Sequence, residues 1–66
     1  MLNTIKIERA KKNLTQEELA NNIGVSRQTI NSIEKGKYIP STLLALKLSN
    51  IFGVSVNELF QLTDED

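Results

Sequence analysis

The chain reads as an all-α domain of five short helices, and three observations predict it. Capping residues stand directly before the apolar runs; glycines close those runs; and the runs repeat their apolar residues at three- and four-residue spacing, as a helix requires. With 66 residues there is room for one domain, residues 1–66. A chain this short buries only about 60% of its unfolded surface, so partnership with a second copy adds useful stability.

The first helix is expected near residues 4–13, where Ile5 and Arg9 lie one turn apart on the same side. Ile7 and Ala10 make a second patch roughly opposite. The second helix, near 16–23, opens on Thr15-Gln16-Glu17-Glu18. This is a capping box, in which the Thr15 hydroxyl accepts from the Glu18 N–H and the Glu18 carboxylate reaches back. Leu19, Ala20 and Ile23 form its inward stripe, and Gly24 ends it.

Only Gly24-Val25-Ser26 separates this helix from a third, near 27–35, whose apolar residues are Ile30 and Ile33. Three residues led by glycine let two short helices meet at a steep angle. Pro40 stops the chain ahead of Ser41, which caps a fourth helix near 41–52. That helix carries Leu43, Leu44, Leu46, Leu48, Ile51 and Phe52, more apolar circumference than one small core requires. Ser55-Val56-Asn57-Glu58 repeats the capping box and starts a fifth helix near 56–60. Leu2-Asn3-Thr4 and Gln61-Leu62-Thr63 alternate as strands do and could pair as a short ribbon.

Composition narrows the chemistry. There is no cysteine or histidine, which removes disulfides, Cys/His zinc sites and histidine-activated nucleophiles. Glu17 and Glu18 are neighbours about 100° apart on a helix and cannot converge on one bond. No catalytic residue, cofactor site or metal site is therefore expected, and Asp64-Glu65-Asp66 reads as a solvated tail. No apolar stretch approaches the roughly 20 residues that span a bilayer, so the expectation is a cytoplasmic protein with no membrane partner. No ligand pocket for a small molecule is evident.

Eight basic and eight acidic residues give a formal charge of zero, yet they are segregated. Residues 1–47 hold every base and only four acids, a balance of +4, while residues 48–66 hold four acids and no base. One end of the molecule thus suits a polyanion.

The third helix presents Gln28, Asn31, Ser32 and Lys35 within about 60° of the direction opposite Ile30 and Ile33. Amides, a hydroxyl and a cation are the groups that pair with base edges in the DNA major groove. Arg27, at the helix start, can reach a base or a phosphate.

The runs Leu14-Thr15-Gln16-Glu17-Glu18-Leu19-Ala20, Ile23-Gly24-Val25-Ser26-Arg27-Gln28-Thr29-Ile30 and Ile33-Glu34-Lys35-Gly36-Lys37-Tyr38-Ile39-Pro40-Ser41 resemble the Cro/CI-type (XRE) helix-turn-helix family. Phe52-Gly53-Val54-Ser55-Val56-Asn57-Glu58-Leu59-Phe60 is similar to the family's last helix, and the resemblance covers nearly the whole chain. It is strongest to the short stand-alone members. The resemblance implies a five-helix, lambda-repressor-like fold. It also implies a homodimeric transcriptional regulator, usually a repressor, that binds double-stranded DNA at a palindromic operator with two third helices about 34 Å apart.

By that resemblance Arg27, Gln28 and Ser32 match base-reading positions, with Asn31 beside them as a further base contact from its place on the outward face, and Gln16, Thr29, Lys35, Lys37 and Tyr38 contact phosphates. Arg9 and Glu34 form a partly buried ion pair joining the first and third helices. Dimerisation falls to Val54, Val56, Leu59 and Phe60. Glu8 departs from the pattern, occupying a position that is often apolar. An alternative of another class is an antitoxin or adaptor whose main partner is a protein; the few residues after the last helix leave little for that role.

Overall fold

The computed structural model describes residues 1–66. Five helices follow in order: α1 (Ile5–Lys11), α2 (Gln16–Ile23), α3 (Arg27–Glu34), α4 (Thr42–Phe52) and α5 (Val56–Leu59). Two short strands, β1 (Leu2–Asn3) and β2 (Phe60–Gln61), pair antiparallel with Leu2 opposite Gln61 and Asn3 opposite Phe60. The ribbon forms one residue earlier than the alternation suggested. Phe60 is buried as its first inward residue, and Thr4 N–H instead donates to the Leu59 carbonyl at 3.0 Å.

Local chemistry sets the helix ends. Thr15, Ser26, Ser41 and Ser55 each accept a backbone N–H through the side chain, and the boxes at Thr15–Glu18 and Ser55–Glu58 are reciprocal. Gly24 and Gly53 close α2 and α4 in the left-handed conformation that favours glycine. α3 closes on Gly36, also left-handed, with Lys37 N–H reaching the Ser32 carbonyl and Gly36 N–H reaching Ile33, both at 2.9 Å. This is a Schellman closure; it satisfies two otherwise orphaned carbonyls and turns the chain toward Tyr38.

One core of twelve side chains joins all five helices, and Ile5, Leu19, Ile30, Ile33, Leu48 and Leu59 are wholly enclosed in it. α2 contributes Leu19, Ala20 and Ile23, α3 contributes Ile30 and Ile33, and Val25 packs at their corner. Two features differ from the sequence expectation. Leu59 and Phe60, placed at a subunit contact, are core residues, because α5 is only four residues long and turns its apolar side inward. The carboxyl end is held rather than free: Asp66 accepts from the Met1 amino group at 3.2 Å and from Thr63 N–H at 2.7 Å.

α4 buries Leu44, Ala45, Leu48 and Phe52 but turns Leu43 and Leu46 outward. Beside Leu46 lies an open apolar groove of about 380 Å³ lined by Met1, Ile39, Pro40, Ala45, Val56 and Phe60 among others. Nothing in the sequence pattern indicated it. No helix is long and apolar enough to cross a membrane.

Candidate nucleic-acid interface

The three-residue connection between α2 and α3 creates the candidate surface. Gly24 and Val25 N–H both bond to the Ala20 carbonyl, which tightens the end of α2. Ser26 then caps α3, accepting from Thr29 N–H at 3.2 Å. With Ile30 and Ile33 fixed in the core, the remaining circumference of α3 points away from it.

Arg27 and Gln28 are exposed at the start of α3, and Asn31 and Ser32 are half-buried a turn later. Lys35, Lys37 and Tyr38 are exposed where the chain leaves the helix. Five of these seven side chains are exposed, and Gln16 of α2 lies against Asn31. Thr29 is half-buried, and its hydroxyl is 3.0 Å from that of Ser26.

Behind this face runs a polar chain linking three helices. Arg9 of α1 donates to Glu34 through Nε at 2.8 Å and Nη2 at 3.2 Å, a two-point fork. Its remaining arm, Nη1, donates to the Leu14 carbonyl at 2.8 Å. The pair is largely shielded from water, with the Glu34 side chain only 7% exposed. Such forked pairs fix geometry as well as charge, so the end of α3 is clamped to α1. Asn3 adds a second clamp from β1, donating to the Ile33 carbonyl at 2.9 Å.

Gln16, at the start of α2, is held by α3 in this structure. Its Nε2 donates to Asn31 Oδ1 at 3.2 Å and to Glu34 Oε1 at 3.1 Å, so the side chain is turned toward α3 with both N–H groups occupied. The cause is Glu34, whose carboxylate stands within reach and can only accept. What the start of α2 leaves open is the backbone N–H of Gln16 and of Glu17, since Thr15 already takes that of Glu18. No residue pattern within α2 could have disclosed this, because the partner lies 18 positions away in the chain.

Two carboxylates are held ionised by the capping boxes. Bonds from the Thr15 backbone N–H and hydroxyl lower the Glu18 pKa from the usual 4.5, and the same groups of Ser55 lower that of Glu58. Both acids stand outside the α3 face and act on helix starts.

Comparisons with known proteins agree with this architecture. The family model described as Helix-turn-helix matches residues 5–59. An HTH-type transcriptional regulator of Methanocaldococcus jannaschii, MJ0272, is 53% identical over 66 residues, covering 100% of both chains. The restriction-modification controller protein C.AhdI of Aeromonas hydrophila superposes with a TM-score of 0.75 at 32% identity, over 85% of each chain. The SOS-response transcriptional repressor LexA of Eubacterium rectale gives a TM-score of 0.80 at 32% identity, over 96% of this chain and 67% of that one. Together with the α2–turn–α3 corner, these similarities identify the chain as a member of the Cro/CI-type (XRE) helix-turn-helix family of DNA-binding transcriptional regulators, which are not enzymes.

Proposed function

We propose that this chain works in the cytoplasm as a homodimeric repressor, its residues 1–66 forming one domain that binds a palindromic operator with α3 in the major groove. The observation that carries the reading is the exposure of Arg27 and Gln28 at the start of α3, beside a buried Ile30 and Ile33 that hold the helix still. Recognition helices of this class dock through their N-terminal residues.

Arg27, Gln28, Asn31 and Ser32 are the base-contacting set. Thr29, Lys35, Lys37 and Tyr38 flank it and meet the phosphates, together with the first-turn backbone of α2 at Gln16. Repression is favoured by the similarity to a protein named a transcriptional repressor.

The dimer contact moves away from Leu59 and Phe60, which the core consumes. Val54 and Val56 remain half-buried, and Ile39, Leu43 and Leu46 stand 68%, 64% and 51% exposed. A second copy is the occupant that suits them, because a self-complementary apolar patch produces the twofold symmetry a palindrome needs.

Selection of binding sites from randomised duplexes tests the reading, with the best site then titrated over a range of salt. A palindrome with steep loss of affinity at rising salt is expected, since phosphate contacts release counterions. Recovery of no preferred sequence, or of a single unrepeated half-site, overturns it.

A further inference from the structure

We propose that Asn31 reads DNA as a hydrogen-bond donor only, because a chain of side chains anchored on Glu34 fixes which end of its amide faces outward. The proposal rests on the placement of α3 against base edges argued above, and it names which base that residue prefers.

A free asparagine can turn either its oxygen or its nitrogen toward a ligand. Here the choice is made from behind. The Glu34 carboxylate offers only acceptors, and the Arg9 fork holds it in place. Gln16 lies 3.1 Å from Glu34 Oε1, so the end it presents there must be Nε2. That same nitrogen lies 3.2 Å from Asn31, and its second N–H needs an acceptor, which only Oδ1 supplies. Turning either amide over would set N–H against N–H, or oxygen against oxygen, at a half-buried site. The order Arg9, Glu34, Gln16, Asn31 therefore carries polarity outward from a fixed charge. Asn31 Nδ2 is the end left for the duplex.

The major groove distinguishes bases by such polarity. Guanine shows two adjacent acceptors, N7 and O6, whereas cytosine shows the N4 donor. A nitrogen held outward at position 31 favours guanine and refuses cytosine at the base it meets, with adenine and thymine between them. Asp in place of Asn31 still accepts from Gln16 through one oxygen and turns the other outward, which inverts the preference. Met in place of Gln16 keeps the bulk but cuts the anchor, so Asn31 is free to rotate.

The test is site selection from randomised double-stranded DNA with the full chain, N31D and Q16M, followed by competition between duplexes differing at one base pair. The wild type is expected to favour guanine over cytosine about tenfold at one position per half-site. N31D should reverse that ratio at the same position and leave the others alone, and Q16M should shrink it to about twofold. The readout is a ratio between bases, so a general loss of affinity does not disturb it. An unchanged ratio in N31D overturns the proposal while leaving the DNA-binding reading intact. Failure of the wild type to select any site overturns both. Side-chain amide spectra of the DNA-free protein give a second measure. Slow exchange of both Gln16 Nε2 protons and fast exchange of those on Asn31 is expected, and the reverse order refutes the anchor.

Discussion

Arg9 and Glu34, 25 positions apart in the chain, meet through two hydrogen bonds of 2.8 and 3.2 Å, and this fork holds α3 to α1. The side chains are 15% and 7% exposed, so solvent screens the pair little. Breaking it from one side strands a charge without its counter-ion. R9A or E34A should therefore lower unfolding stability by about 3 to 5 kcal/mol. An R9M/E34L double replacement should recover most of that loss, because two apolar chains leave no stranded charge. Chemical denaturation of the four proteins checks this, and equal loss in single and double variants contradicts it.

Base reading and phosphate gripping should separate by mutation. Q28A is expected to relax sequence preference at one or two positions per half-site, at roughly 1 to 3 kcal/mol each. K37A should weaken all duplexes alike and reduce the slope of log affinity against log salt by about one. Binding titrations on matched and mismatched duplexes distinguish the two, and identical behaviour of both variants defeats the division.

Stability should fall in acid through the capping boxes. Glu18 and Glu58 have pKa values lowered below 4.5 by bonds from Thr15 and Ser55. The unfolded chain thus binds protons more readily than the folded one. The stabilisation they give is complete above 4.5 and disappears as pH drops through the lower folded values. E18Q/E58Q should unfold with a flatter acid limb than the wild type. A thermal-melt series from pH 7 to pH 3 reports it, and parallel limbs refute it.

Removing a cap hydroxyl isolates the local contribution. T15A loses the acceptor for Glu18 N–H, a bond of 3.0 Å. The expected cost is about 1 kcal/mol, with N-terminal residues of α2 gaining in hydrogen-exchange rate ahead of the rest. Uniform acceleration across the chain is the contrary result.

The exposed leucines of α4 should govern association. L43K/L46K places two cations on the patch shared with Ile39, so sedimentation should show a dimer for the wild type and monomers for the variant. The fold should be retained, because neither side chain is in the core. An unchanged dimer excludes this surface as the contact.

Most of the helix layout was legible because caps are local: Thr15, Ser26, Ser41 and Ser55 each announce a helix within four residues, and Gly24 and Gly53 each mark an end. The outward face of α3 followed from the spacing of Ile30 and Ile33. Three features were not legible. α5 spans one turn, too short for periodicity to show that Leu59 points inward. The groove beside Leu46 is assembled from segments around Met1, Ile39, Thr42 and Val56, which only tertiary structure brings together. The orientation of Gln16 depends on Glu34, so its inward turn is a property of the packed molecule rather than of α2.

Asn3 touches both the ribbon and the end of α3: its strand lies against Phe60, and its amide holds the Ile33 carbonyl at 2.9 Å. A protease that clips the chain near Gln61 would strip β1 of its neighbour and slacken that grip. The setting of α3 thus depends in part on the ribbon that joins the two ends of the chain.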